Sequence, residues 1–299
     1  LYSFLINLII KKSKIATCEF NNPGNYFWTK KELNLVDNFL FKLKNLFYFN
    51  KLFFMIKEKT FSLLNKIFNI QFDFLCVAGR KYRNAFLKND KRIINISSWD
   101  YSRVLNKEFK IKKYKKKIIT FLDAPGPKFK SDSFLFKKKN DETSKETYPA
   151  LIKFFNLLEK TFKLDVVIAA HPKTKHIKFP SYFGKRKVYS NKTQELVYNS
   201  KFVITRNSSA ITYAIQKNIP IIFFYTNEIL KIKGINLFSI KGLAKELGYK
   251  AININDNIDK KLLLGLIKIK KRYYRKFQLD YFCNLKKKIP NFKIFYEIF

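Results

Sequence analysis

Residues 165–173 read Asp-Val-Val-Ile-Ala-Ala-His-Pro-Lys, and residues 202–210 read Phe-Val-Ile-Thr-Arg-Asn-Ser-Ser-Ala. Each stretch is an apolar run that ends in polar residues, and the second leads into a helical pattern. Such runs, alternating with helical stretches, are typical of buried strands in a parallel sheet. Open sheets of this kind bind ligands outside the carboxyl ends of their strands, so these polar residues lie where a ligand is expected. We predict that the two strands are neighbours and that their exits converge on a single anion pocket.

The same alternation extends along most of the chain. We predict a helix over 147–163, where Leu151, Phe154, Phe155, Leu158 and Phe162 have the spacing of one apolar face. Further helices are predicted over 30–69, 193–200 and 209–217, and strands over 14–20, 72–78, 92–96, 117–122, 165–170, 201–204 and 220–225. The pattern predicts an α/β fold with parallel sheets and right-handed crossovers.

The length of 299 residues suggests two domains, at about 150 residues each. A lysine-rich stretch without periodicity covers 107–117, and a new strand follows it. We therefore predict a Rossmann-like N-terminal domain over 1–115 and a second Rossmann-like domain over 116–299 that ends in a helical tail. The sequence does not begin with methionine, so we expect the N-terminal domain to be incomplete.

The formal net charge of +39 is the extreme feature of the composition. Clustered lysine and arginine indicate nucleic-acid binding when they form a patch. Here lysine greatly outnumbers arginine and is spread along the chain with Asn, Ile and Phe, as A/T-rich codons produce. We favour a solvated basic surface. A nucleic-acid-binding protein stays open as an alternative, although no known nucleic-acid-binding signature is present.

Other classes of site receive little support from the sequence. Cys18, Cys76 and Cys283 lie far apart and match no metal or redox spacing, which favours a reducing, cytoplasmic compartment. The apolar run over 1–10 is too short to cross a bilayer. No GxGxxG or P-loop pattern occurs. His176 lies five residues after His171, which is not the spacing of a metal pair on a helix, so no metal site is predicted.

His171 follows a buried strand, and Pro172 stiffens the exit. An imidazole here can bind a phosphate oxygen or protonate a leaving group, and Lys173 adds positive charge. The alternative is a histidine that only satisfies loop carbonyls. After the second strand, Asn207, Ser208, Ser209 and Ala210 open a helix, whose amide groups favour an anion. Ordinary N-capping is the alternative for the serines.

Acidic residues are few, so three can be weighed singly. Asp123 ends the strand over 117–122, and Asp100 follows the strand over 92–96. Either could be the base that deprotonates a sugar hydroxyl, and either could simply form a turn. Glu195 could accept a ribose hydroxyl or lie favourably near a helix start. Thr193 is the predicted N-cap of that helix.

The order of these motifs resembles bacterial surface-carbohydrate biosynthesis proteins. The resemblance lies in Phe121-Leu-Asp123, Val167-Ile-Ala-Ala-His-Pro-Lys173, Phe183-Gly-Lys-Arg186, Thr193-Gln-Glu195 and Val203-Ile-Thr-Arg-Asn-Ser-Ser-Ala-Ile211, with Val77-Ala-Gly-Arg-Lys81 and Ser98-Trp-Asp-Tyr101 upstream. More distantly, the His-Pro and Ser-Ser pairs are similar to those of sialyltransferases, Kdo transferases and teichoic-acid polymerases of the GT-B fold.

The resemblance implies two Rossmann-like domains facing a cleft, with a nucleotide-activated sugar held by the second. His171, Pro172 and Lys173 would contact its phosphate, Ser208 and Ser209 would complete the cradle, and an acidic residue would activate the acceptor. It implies a cytoplasmic, metal-independent glycosyltransferase without a cofactor, with a CMP-linked acidic sugar as the best single donor. The alternative on the same fold is a non-catalytic scaffold.

The stretch from Lys260 to Lys276 is rich in lysine and includes Tyr273 and Tyr274. Basic residues interleaved with aromatic ones are typical of a surface that lies against anionic lipid. We therefore predict that this part of the tail contacts the inner face of the cell membrane.

Overall fold

The computed structural model describes residues 18–21, 60, 63, 64, 67, 74–81, 93–106, 111–124, 127, 142–172, 174, 180–232, 235–283 and 289–298. In these residues the strands form two parallel sheets. One has the order β1-β2-β3 and the other the order β6-β5-β4-β7-β8-β9. The predicted α/β class with parallel sheets is confirmed.

The first sheet contains β1 (Cys18–Asn21), β2 (Phe74–Ala78) and β3 (Ile93–Ile96), and helix α1 (Trp99–Leu105) follows it. All three strands fall within or beside predicted ones. Most of the helical stretch predicted over 30–69, and the apolar run over 1–10, lie outside the described residues.

The second sheet begins after the lysine-rich stretch, and four of its six strands and three of its five helices lie at predicted positions. Its strands are β4 (Ile118–Leu122), β5 (Val166–Ala169), β6 (Val188–Tyr189), β7 (Ser200–Thr205), β8 (Ile221–Tyr225) and β9 (Ile252–Asn253). Its helices are α2 (Ser144–Phe162), α3 (Thr193–Tyr198), α4 (Ile211–Gln216), α5 (Asn227–Ile232) and α6 (Ile235–Glu246). Thr193 is the first residue of α3, and Lys192 is the N-cap, contrary to our prediction.

Both faces of the second sheet are buried, because side chains alternate along each strand. On β8, Ile222 and Phe224 pack with the apolar face of α2, while Ile221 and Phe223 pack on the other side with α4 and α6. The predicted face of α2 is correct, since Leu151, Phe154, Phe155 and Leu158 are all buried. The sheet is the middle of three layers.

The tail is helical, as predicted, but it does not stay with the second sheet. It forms α7 (Lys260–Leu266), α8 (Lys271–Phe277), a π-helical turn (Gln278–Phe282) and α9 (Asn291–Ile298). Ile294 of α9 packs with Cys76, Ala78 and Ile96 of the first sheet. The side chain of Asn291 exchanges two hydrogen bonds of 2.8 Å with the backbone of Ser97. The end of the predicted 116–299 domain therefore completes the core of the first sheet.

The chain leaves the first sheet at Ile96 and enters the second at Ile118. The predicted domain boundary near residue 115 falls within this connecting segment. No helix in the described ranges combines the length and the apolar character needed to span a bilayer.

Gly79 follows the last residue of β2 and lies against the backbone of the π-helical turn of the tail. Its φ is +70°, a left-handed conformation, and a Cβ added there would clash with the backbone carbonyl group of Asp280. We expect Gly79→Ala to lower the free energy of unfolding by about 2 kcal/mol or more, from backbone strain and the clash.

The matched control is Gly265→Ala, since Gly265 lies in α7 with open space around the added Cβ. Alanine in a helix is favoured over glycine by about 1 kcal/mol, so this variant should be slightly more stable. Chemical denaturation followed by circular dichroism measures both, and equal effects would contradict the tight approach at Gly79.

Candidate functional site

The strand order places three polar strand exits side by side. Strand β4 lies between β5 and β7, and Leu122 pairs with Ala169 on one side and Thr205 on the other. The sequence hypothesis treats the strands before His171 and Ser208 as neighbours, and this is wrong because β4 separates them. The residues that follow β4, beginning with Asp123, therefore lie between the two predicted clusters.

Asp123 organises the loop that carries His171. It is only 5% exposed, and its Oδ2 accepts the backbone N–H of His171 at 3.4 Å. The hydroxyl of Thr174 lies 3.3 Å from the same oxygen and 2.8 Å from the carbonyl oxygen of His171. His171 is half-buried and Pro172 is exposed. Lys173 lies outside the described residues.

The segment from Asn207 to Ala210 lies at the same edge of the sheet and remains accessible. Asn207 and Ser208 are partly exposed and Ser209 is exposed. The Ser208 hydroxyl oxygen accepts the N–H of Ala210 at 3.3 Å, a local bond of the capping kind. Its hydroxyl hydrogen can still be donated to a ligand. Helix α4 itself begins at Ile211 and has only six residues.

Arg206 is a residue that the sequence reasoning missed. Although charged, it is only 6% exposed, and it forms an ion pair with Glu142 and donates to the carbonyl oxygen of Ala124 at 3.1 Å. Its Nε has no hydrogen-bond partner among the described residues. The signal in the sequence is an arginine between a buried strand and Asn207, in a chain whose usual cation is lysine.

Tyr148 of α2 lies within reach of the same charges. Burial raises the pKa of the Tyr148 hydroxyl, and the negative charge of Asp123 raises it further. The ring stacks on that of Tyr182 with centroids 4.7 Å apart. Tyr148 therefore remains a neutral phenol beside Asp123 and Arg206.

The first sheet brings a second acid to this region. Asp100 lies in the first turn of α1, and α1 packs against α4. Burial raises the pKa of Asp100 above its ordinary value, and the nearby Arg103 opposes this only in part. The negative charge of Asp100 in turn adds to burial in raising the pKa of Tyr213 on α4. Asp100 thus lies close to the helix that follows Ala210.

Glu195 is tied to the segment that connects the two sheets. Its Oε1 accepts the hydroxyl of Tyr114 at 2.9 Å, and burial together with this bond raises the pKa of Tyr114 to about 12. Thr193 and Glu195 are partly exposed. Part of the hydrogen-bonding capacity of Glu195 is therefore used within the protein.

No group of three or more His, Cys, Asp or Glu side chains in the described part of the chain is arranged to hold a metal ion.

Comparison with known proteins finds similarity only among solved structures, since no family model and no curated sequence matches the chain. Arabidopsis thaliana UGT89C1 is 12% identical over 99% of this chain and 69% of its own, with a TM-score of 0.47. CalG4, the calicheamicin glycosyltransferase, is 9% identical over 97% and 69%, with a TM-score of 0.49. The wall teichoic acid polymerase TagF is 18% identical over 81% and 63%, with a TM-score of 0.43.

At these identities the likeness concerns the fold alone. Each of these TM-scores lies below 0.5, so the function of this chain has to rest on its own residues.

The pair formed by Arg206 and Glu142 provides a test of the buried charges at the site. We expect Glu142→Gln to lower the free energy of unfolding by about 3 to 5 kcal/mol, because Arg206 would keep a buried charge without its partner. Glu146→Gln is the matched control: Glu146 is exposed in the first turn of α2, where losing its charge costs at most about 1 kcal/mol. Equal destabilisation in urea titrations would contradict the buried pair.

Asp100 provides a second test, through pH. Because its pKa is raised above 3.8, the folded state binds its proton more tightly than the unfolded state. Stability from this group is therefore lost as pH rises from 3.8 through the raised pKa. We expect Asp100→Asn to raise the melting temperature at neutral pH and to change it little at acidic pH. A difference that does not vary with pH would contradict the desolvation of Asp100.

Proposed function

We propose that the protein is a glycosyltransferase that moves a sugar from a nucleotide-activated donor to a surface glycan or a lipid-linked acceptor, as in polysaccharide or lipopolysaccharide assembly. The observation that carries this proposal is the single sheet edge at which the His171 loop and the segment from Asn207 to Ala210 flank Asp123. Edges of this kind are where open parallel sheets bind nucleotides.

The donor phosphate would lie across the end of β4. Neighbouring strands are about 4.8 Å apart, so the exits of β5 and β7 are separated by about 10 Å. A phosphate group above β4 can be reached from one side by His171 and from the other by the hydroxyls of Ser208 and Ser209. The amide and hydroxyl of Thr143, at the start of α2, already donate to Glu228, which leaves that helix start less suited to the anion.

Two acids divide the remaining work. The carboxylate of Asp123 is buried and receives the His171 N–H, so we assign it the positioning of the His171 loop. Asp100 is only partly buried and has a raised pKa, which suits a base that takes a proton from an acceptor hydroxyl. In this scheme His171 binds the donor phosphate and can protonate it as the sugar departs.

We assign the remaining predicted residues to binding of the donor's nucleoside. Thr193 and the second carboxylate oxygen of Glu195 would bind ribose hydroxyls, with Glu195 held in place by Tyr114. A CMP-linked acidic sugar is the donor we favour. The proposed phosphate ligands are cations and hydroxyls, so transfer is expected to proceed in the presence of a chelator.

Calorimetric titration with CMP, CDP and UDP in EDTA tests the donor site. We expect His171→Ala and Ser209→Ala each to weaken nucleotide binding by about 1.5 to 3 kcal/mol, the usual value of a hydrogen bond to a charged group. Thr161→Ala is the control, because Thr161 also loses a hydroxyl but lies at the far end of α2, next to the amino end of β5. The Thr161→Ala variant should bind nucleotide with the same affinity as the wild type.

Three results would count against the proposal. Lack of binding to any nucleotide at millimolar concentration would remove the donor site. Unchanged affinity in both variants would return His171 and Ser209 to structural roles. Nucleotide binding without turnover across a panel of donor sugars would favour a non-catalytic scaffold.

A further inference from the structure

The stretch from Lys260 to Lys276, named here the basic edge, contains no acidic residue and carries eight cations. All are exposed except Lys270, which is partly exposed. They are Lys260, Lys261, Lys268, Lys270, Lys271, Arg272, Arg275 and Lys276. Positive charge is common over this chain, so charge alone does not distinguish the basic edge.

The exposed apolar side chains do distinguish it. Leu262, Leu264, Ile269 and Tyr273 are each 43 to 46% exposed. They are four of the ten large apolar side chains that are exposed in the described residues, and they fall within twelve positions of the sequence. The basic edge therefore combines cations with apolar groups that are left in water.

The basic edge is held to the second sheet by buried side chains of both of its helices. Leu263 and Leu266 of α7 pack on one face of the sheet, and Tyr274 and Phe277 of α8 pack on the other. The connecting residues 267–270 thus pass from one face to the other. The sequence prediction that Tyr274 faces lipid is wrong, because this side chain is fully buried.

Tyr274 instead anchors the basic edge. Its hydroxyl donates to the carbonyl oxygen of Ile219 at 2.8 Å and lies 3.0 Å from the hydroxyl of Tyr249. The Tyr249 hydroxyl lies 3.2 Å from the carbonyl oxygen of Lys268, which is one of the residues that connect α7 to α8. A surface held in this way loses little conformational freedom when it binds.

We propose that the basic edge binds the surface of an anionic lipid bilayer, with Ile269 and Tyr273 entering the headgroup region. Anionic headgroups complement the eight cations, and their attraction adds up over several lysines. Nucleic acid would also attract the charge, but it is bound through stacking on aromatic rings, and three of the four exposed apolar side chains are aliphatic. Aliphatic side chains gain by leaving water at a lipid interface. This inference does not depend on the transferase activity.

The experiment is vesicle flotation with the full chain, using phosphatidylcholine vesicles with and without phosphatidylglycerol. We expect binding only to the anionic vesicles. Lys271→Glu with Arg272→Glu should lower the partition coefficient roughly tenfold or more. Lys145→Glu with Lys153→Glu is the matched control, because both lysines are exposed on α2 and the net charge changes equally. This pair should lower binding by less than about twofold.

Ile269→Ser tests the apolar contribution and should lower binding several-fold, with circular dichroism confirming that each variant is folded. The proposal is overturned if both charge-reversed pairs bind equally, if Ile269→Ser binds as the wild type does, or if vesicles without anionic lipid are bound as well. It is also overturned if the Lys271 and Arg272 replacements abolish binding of single-stranded RNA while flotation is unchanged.

Discussion

The pairing of β4 with strands on both of its sides is the constraint on which the site depends. Ile119 and Phe121 face one core of the sheet and Ile118 and Leu122 face the other. The hydroxyls of Thr120 and Ser200 form a buried hydrogen bond of 2.6 Å between β4 and β7, which fits only one register. A slip of one residue would exchange the two faces and bury the wrong side chains. Asp123 is therefore fixed at the level of Ala170 and Arg206.

The same register creates an electrostatic requirement. Asp123 is a buried acid in the middle of a surface that we propose binds a phosphate. Arg206 lies beside it, but its charge is shared with Glu142. Counting +1 for Arg206 and −1 each for Glu142 and Asp123, the three groups carry a net charge of −1. We therefore expect an anion above β4 to need a positive charge close by, which the neutral hydroxyls of the serines cannot supply.

Much of the fold follows from local patterns. The apolar face of α2 could be predicted because its spacing fits only a helix, and the buried runs of β4, β5, β7 and β8 because they are bounded by polar residues. The order of the strands could not, since parallel pairing is non-local and periodicity does not reveal which strand lies beside which. Hence β4 was not placed between the clusters of His171 and Ser208. The partner of Arg206, Glu142, lies 64 residues away, and the burial of Tyr274 depends on Ile219 and Tyr249.

The C-terminal tail contacts both the segment that carries Asp100, after the first sheet, and helix α4 of the second sheet. The π-helical turn binds α4 through Gln278, which donates to the carbonyl oxygen of Ile215 at 3.3 Å. It binds the start of α1 through Phe282, whose carbonyl oxygen accepts the N–H of Ser98 at 2.7 Å.

The loop after β2 adds further bonds, from Arg80 to Asp280 at 2.6 Å and from Lys81 to Glu246 at 3.0 Å. The short turn after α8 therefore contacts both α4 and Ser98, the residue next to α1. Helix α8 runs without a break into this turn. The helix that carries half of the cations of the basic edge therefore leads directly to Phe282, which bonds to Ser98 two residues before Asp100, the base that we propose.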